Sequence, residues 1–301
     1  MAYARDFTYD NRTLLSIDPN LIVVSFDSTS TTSENEIVSR NVLRSDITYD
    51  DVLTYDYGAV DNSVYKLKLT IARMDGDVLS QSLVRTLVSW LISPTEPKWL
   101  TFNRGGCASA AMYDGVEFKG RFNRVTYDMS TGYNKYAISF EFENISPFGF
   151  TRQYAWEFDL QNSSSSATLS PVGTNVGKLV TPAILITSDS STGGAELPDD
   201  IDNLEFTRGE GQIISIHNLD GNTAPFLIQC PQDVTIAVIG DNCYYYNDDP
   251  AFDVRNMSLY NFSNLVNFNF PRMVSGGVNR FVFEGTGNII IVSRMYEALG
   301  V

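Results

Sequence analysis

The sequence predicts a mostly β protein: two β-sandwich domains in tandem, the first covered by one α-helix. Three observations predict it. Period-two alternation recurs along most of the chain, as in Ile138, Phe140 and Phe142 set against Ser139, Glu141 and Glu143. Only one stretch carries the 3.6-residue period, with Leu79, Leu83, Leu87 and Leu91 beside Val84, Val88 and Ile92. The length, 301 residues, is long for one sandwich and comfortable for two.

The first domain is expected over residues 1–155. Arg5 to Asn11 reads as a short strand and turn, and Leu21 to Phe26 as a buried strand. Residues 37–62 show no compact strand pattern. They hold Arg40, Arg44, Asp46, Asp50, Asp51 and Asp56 among Tyr49, Tyr55 and Tyr57, and read as an extended hairpin arm suited to a subunit contact. Ser63 to Arg73 is a strand with Tyr65, Leu67, Leu69 and Ile71 on one side. The helix is expected over residues 77–92, capped by Asp75 or Asp77 and stopped by Ser93-Pro94. Its stripe must cover apolar surface, and its neighbours are strands, so it should lie across one sheet. Gly115 to Phe122 and Arg124 to Tyr127 read as two short strands, and Tyr136 to Glu143 as a third.

The second domain is expected over residues 156–301. Tyr154 to Phe158 reads as a transitional strand, and Gln161 to Ser166, with four serines in a row, as a linker. Strands follow at Pro182–Thr187, Leu204–Thr207, Gly211–His217, Pro225–Cys230, Val234–Ile239, Cys243–Tyr246, Phe268–Phe270, Arg280–Phe283 and Asn288–Arg294. Evenly spaced strands without a helix indicate a second sandwich.

Charge narrows the function. The chain carries −15 overall, with 14 basic and 19 acidic residues through Phe150 and 7 and 17 after it. That opposes binding to a phosphate backbone, which needs a basic face. No run of 18 apolar residues is present, so no membrane span is expected. Met1 to Asp6 lacks the apolar region of a secretion signal. Cys107, Cys230 and Cys243 lack metal-site spacing and read as free thiols, although Cys230 and Cys243 could pair.

No catalytic, cofactor-binding or metal-ligating residue is assigned, and no enzyme is expected. His217 is the only histidine and sits in an alternating strand, which leaves a Ser–His–Asp triad or a His-rich metal site without parts. Asp248, Asp249 and Asp253 lack the spacing and glycine turn of a calcium loop. Tyr244-Tyr245-Tyr246 is the one motif that suggests a ligand. An exposed aromatic cluster would stack on sugar faces, whereas simple alternation would split it between two sides of a strand.

Several segments, in order, carry a family likeness. They are Arg5-Asp6-Phe7-Thr8-Tyr9-Asp10-Asn11, the helix ending at Ser93-Pro94 with Trp99-Leu100, Tyr113-Asp114-Gly115-Val116, and Phe140-Glu141-Phe142 running into Ser146-Pro147-Phe148. Asn175-Val176-Gly177 with Pro182 to Ile186, Phe270-Pro271-Arg272 through Asn279-Arg280-Phe281, and Asn288 to Arg294 complete the set. The chain resembles the distal tail proteins of long-tailed phages that infect Gram-positive bacteria. Members often have a cysteine and an acid before the Pro-Phe close, where this chain has Asn144-Ile145-Ser146.

The resemblance implies a homo-hexameric ring at the virion tail tip, assembled in the host cytoplasm. The first domain with its arm would form the ring, joined to the tail tube protein and the tail-tip hub. The second, a galectin-like sandwich, would support receptor-binding proteins. DNA would pass through without specific binding. The alternative is a carbohydrate-binding module for host surface glycans.

Overall fold

Strands carry most of the described chain, and one α-helix crosses them. The structure, a computed structural model, describes residues 2–24, 40–46, 54–61, 66–103, 115–161, 164–192, 194–195, 211–247, 255, 257–260 and 265–298. Two compact units divide the chain: Met1–Phe150 with Ala298–Val301, and Thr151–Glu297.

The strands of the first unit are β1 (Ala2–Ala4), β2 (Asp6–Tyr9), β3 (Arg12–Thr13), β4 (Leu21–Val24), β5 (Arg40–Asp46), β6 (Thr54–Asp61), β7 (Lys66–Arg73), β8 (Lys98–Asn103), β9 (Val116–Thr131) and β10 (Asn134–Asn144), with β11 (Gly149–Thr151) at its end. Eight of them form one antiparallel path in the order β1-β4-β7-β10-β9-β8-β2-β3. Asp10 and Asn11 take positive φ, 51° and 59°. That is the two-residue turn whose twist suits the paired residues Tyr9 and Arg12. The path separates β2 from β10, yet the ring of Tyr9 meets Phe142 edge-on at 6.3 Å and Phe122 at 5.0 Å. The sheet therefore curls over itself around a core that includes Phe7, Tyr9, Phe118, Phe122, Phe140 and Phe142.

The helix α1 spans Gln81–Ile92 and buries Val84, Leu87, Trp90 and Leu91 against that core. It starts four positions later than the expected residue 77. Ser80, not an aspartate, is the cap, with its hydroxyl accepting from the Leu83 N–H at 3.2 Å. Asp75 is engaged elsewhere: the Arg73 guanidinium donates to both its oxygens, and the Asp77 N–H donates to it at 3.0 Å. Leu79, itself buried, donates its N–H to the Lys135 carbonyl at 2.7 Å, which anchors the approach to the helix on β10.

The two short strands expected between Gly115 and Tyr127 are one long strand, β9. The sequence pattern breaks at Gly120 and Asn123, and the structure explains both. A Cβ at Gly120 would lie 2.1 Å from the Glu143 carbonyl oxygen, so only glycine permits the pairing of β9 with β10 there. Arg124 pairs with Glu141 and Phe122 with Phe142, which leaves Asn123 as the extra residue of a β-bulge.

The second unit contains β12 (Tyr154–Leu160), β13 (Ser164–Leu169), β14 (Leu179–Val180), β15 (Ala183–Ser188), β16 (Gln212–Asn218), β17 (Phe226–Cys230), β18 (Thr235–Ile239), β19 (Asn242–Tyr245), β20 (Ser258–Leu259), β21 (Met273–Val274), β22 (Asn279–Glu284), β23 (Gly287–Ser293) and β24 (Tyr296–Glu297). A six-stranded sheet, β12-β23-β15-β18-β19-β20, faces a four-stranded one, β13-β22-β16-β17. Ile184, Ile186, Ile236, Val238, Ile289 and Ile291 of the first meet Ile214, Ile216, Phe226, Ile228, Phe281 and Phe283 of the second in one core.

Two expectations change here. The serine run is not a linker but the start of β13, with Ser165 opposite Phe283 and Ala167 opposite Phe281. Small residues on β13 leave room for those rings. Phe268–Phe270 is not a strand. The Asn267 carboxamide instead accepts from the Leu227 N–H and donates to the Pro225 carbonyl, which takes the place of ladder bonds. The strand expected at Leu204–Thr207 lies outside the described residues.

Candidate functional site

The arm segment is the first candidate surface. β5 and β6 pair antiparallel, from Arg40 with Asp61 to Asp46 with Thr54, around a register shift between Val42 and Arg44. They form a two-stranded sheet of their own that shares no strand with the eight-stranded path. The alternation is hard to read in sequence because that shift interrupts it. Tyr49, Asp50 and Asp51 lie outside the described residues.

The outer face of β7, β10 and β9 is the second. Cross-strand register aligns Lys66 with Glu143 and Arg121, Lys68 with Glu141 and Arg124, and Thr70 with Ser139 and Thr126. Lys66 stands 3.7 Å from Glu143, and Arg124 stands 3.8 Å from Glu141. Ser139, expected to face water, is almost fully buried and shares a hydrogen bond with the buried Thr70 hydroxyl. A shallow depression of about 400 Å³ over these residues is lined by Lys66, Lys68, Arg124, Thr126, Ser139 and Glu141. This is a ladder of compensated charges.

The other residues singled out from sequence take structural positions. His217 is half-buried on β16, its Nε2 3.3 Å from the Asn222 carbonyl oxygen. Cys230 and Cys243 are both free thiols buried in the core of the second unit. Burial pushes the Cys243 thiol up to about 12 and raises that of Cys230 further, so neither is a reactive thiolate. The three tyrosines do not form one platform. Tyr244 and Tyr246 pack with Leu185, Ala237 and Met257 on one side of the six-stranded sheet. Tyr245 meets the core residue Tyr260 edge-on at 5.0 Å. Cys107, Asp248, Asp249 and Asp253 lie outside the described residues. Among the described residues no group of three His, Cys, Asp or Glu side chains could hold a metal, and no helix is long and apolar enough to cross a membrane.

Three asparagines, to which the sequence assigned no role, organise the closing motifs. Asn144, almost wholly buried, donates to the carbonyls of Ser146 and Phe148 at 2.7 Å each and accepts from the Lys119 N–H at 2.9 Å. The Ser146 hydroxyl accepts from the Phe148 N–H, so Ser146-Pro147-Phe148 is a locked turn. Asn279 accepts from the Val274 N–H at 2.7 Å and from Asn218 Nδ2 at 2.8 Å, and donates to the carbonyls of Val274 and Gly277. Asn218 also donates to the Arg272 carbonyl. Gly276, at φ 66°, completes that turn, where a Cβ would lie 2.1 Å from the Asn175 nitrogen. Asp220 holds Arg280 through its backbone N–H and its guanidinium. These motifs shape loops and do no chemistry. Their only sequence signal is an asparagine two or three residues from a glycine or proline.

Comparison with known proteins agrees with this geometry. Residues 2–146 match the family described as phage tail protein N-terminal domain. No curated protein matches the chain. Among solved structures, the crystal structure of the Dit protein of phage SPP1 superposes with a TM-score of 0.56 at 10% identity, over 96% of this chain and 98% of that one. A chain of the phage P2 baseplate, solved in its activated conformation with calcium, superposes with a TM-score of 0.50 at 10% identity, over 98% of this chain and 99% of that one. At such identity the likeness speaks for the fold alone. The family match covers residues 2–146, and the shared fold extends over nearly the whole chain.

Proposed function

We propose that six copies of this chain close into a ring at the tip of a phage tail. The ring joins the tail tube to the tail-tip hub, and the second unit, a galectin-like sandwich, presents a base for host-adhesion proteins. The chain acts by geometry, without catalysis, in a virion assembled in the host cytoplasm. The observation that carries the reading is the fold shared with SPP1 Dit over 96% of the chain, whose structure is described as a paradigm of a hub adsorption apparatus. The net charge of −15 suits a collar through which DNA must slide unhindered.

The test is the mass and image of the purified chain. Light scattering should give about six times the 33.5 kDa chain, and negative-stain images should show rings with a central channel. A stable monomer that binds glycans through Tyr244 and Tyr246 would overturn the proposal.

A further inference from the structure

The outer face of β7, β10 and β9 carries a charge opposite in sign to that of the whole chain. Lys66, Lys68, Arg121 and Arg124 stand around Glu141 and Glu143. Four bases against two acids leave an excess of two positive charges, in a chain whose net charge is −15.

The sheet geometry makes these bases converge. β7 and β9 flank β10, so the backbones of Lys68 and Arg124 lie about 10 Å apart across it, while Lys66 and Lys68 lie about 7 Å apart along β7. Their long side chains reach a common point above β10 from both sides. The depression there, about 400 Å³, is large enough for a compact ligand. Thr126 and Ser139 contribute hydroxyls to its lining, and the Ser139 hydroxyl is fixed by its bond to Thr70.

The ion pairs on this face hold the bases loosely. Lys66 and Arg124 stand 3.7 and 3.8 Å from their glutamates, with side chains 54% and 71% exposed. Exposed pairs of that length contribute little, so turning the cationic heads toward a ligand costs little.

The charge excess selects the ligand. A carboxylate offsets one of the two positive charges. A phosphate group offsets both, and its three oxygens suit a guanidinium fork, two ammonium groups and a hydroxyl together. Screening acts over about 8 Å at physiological salt, so a compact dianion senses these bases and little of the acidity elsewhere. A long polyanion senses that acidity as well and is repelled.

We propose that this depression binds a compact phosphate dianion, either free phosphate or a phosphate monoester. Arg124 grips it from β9 and Lys66 and Lys68 from β7, with the Thr126 hydroxyl donating from below. The site belongs to a single chain and holds for a ring or a monomer alike.

Phosphorus NMR linewidths of the full chain at low salt test it, with inorganic phosphate and glycerol 3-phosphate as probes. Saturable broadening should appear with a dissociation constant of about 1 mM. Arg124→Ala should weaken binding about tenfold, and Lys68→Ala should act in the same direction. Glu141→Gln should tighten binding about threefold, because it removes the carboxylate nearest the ligand. Arg85→Ala, exposed on the helix, should change nothing. Equal affinity for the two probes identifies the free ion as sufficient, and tighter binding of the ester assigns the site to a phosphate monoester. No saturable broadening, equal binding by the Arg124→Ala chain, or weaker binding by the Glu141→Gln chain overturns the proposal. Duplex DNA that binds the parent and is lost in Arg124→Ala overturns it in favour of a polyanion.

Discussion

The indole Nε1 of Trp90 donates a 3.0 Å hydrogen bond to the backbone carbonyl of Tyr9, 81 positions earlier in the chain. The same indole stacks on Phe7 at 5.3 Å and meets the Tyr9 ring edge-on at 6.4 Å. Burial of leucines alone would let the helix slide over the sheet, since the hydrophobic effect has no direction. A directional bond to one carbonyl sets where along the sheet the helix stops.

Two substitutions separate those effects. Trp90→Phe keeps an apolar ring and removes the hydrogen bond to the Tyr9 carbonyl, at a cost of about 0.5–1.5 kcal/mol. Trp90→Ala adds a cavity and should cost about 3–5 kcal/mol. Denaturant unfolding measures both; no loss in Trp90→Phe would mean that the hydrogen bond contributes nothing.

Asn279 should be the most sensitive polar residue of the second unit. Asn279→Ala leaves the Val274 N–H and one N–H of the Asn218 amide without their acceptor in a part-buried turn. The expected loss is about 2–3 kcal/mol. Asn288, whose amide reaches Glu157 at the surface, serves as the control, with a change within about 0.5 kcal/mol on substitution by alanine.

Gly120→Ala should weaken the first unit by roughly 1–3 kcal/mol, because the added methyl meets backbone and no flexible side chain can yield. Amide exchange should quicken along β9 and β10 near Asn144. Unchanged exchange there would contradict the close approach.

Tyr9 predicts an alkaline limit. Burial first, and then the neighbouring Asp10 carboxylate, push its hydroxyl from 10 up to about 12. Between those values the unfolded chain gives up this proton and the folded one keeps it. Stability is therefore full below about pH 10 and falls as pH rises toward 12. Cys230 and Cys243, raised by burial, act in the same sense from about pH 9. Tyr9→Phe should shed only the tyrosine part of the loss, read as a shallower fall of Tm between pH 10 and 11.5 than in the parent.

Much of the fold is legible because burial imposes local periods. The leucine stripe marks α1, and Ile138, Phe140 and Phe142 mark β10, each from neighbours in sequence. The misses have one physical cause, a side-chain or strand partner that the local period does not reveal. Ser80 became the cap because Arg73 holds Asp75. The serines of β13 became a strand because Phe281 and Phe283 need short neighbours. β9 looked broken because its bulge at Asn123 answers β10. In the candidate surfaces, the tyrosine triplet was legible as alternation, while the roles of Asn144, Asn218 and Asn279 were not.

The amino-acid order alone determined the helix and most of the strands, the acidity of the chain, and its single histidine. Those properties arise from nearest neighbours and composition. Tertiary structure alone decided which strands meet, and that Val125 and Tyr127, set opposite the buried Phe140 and Ile138, stay partly exposed. Backbone pairing uses the same N–H and C=O groups at every residue, so a strand's partner, or its want of one, leaves no mark on its own side chains.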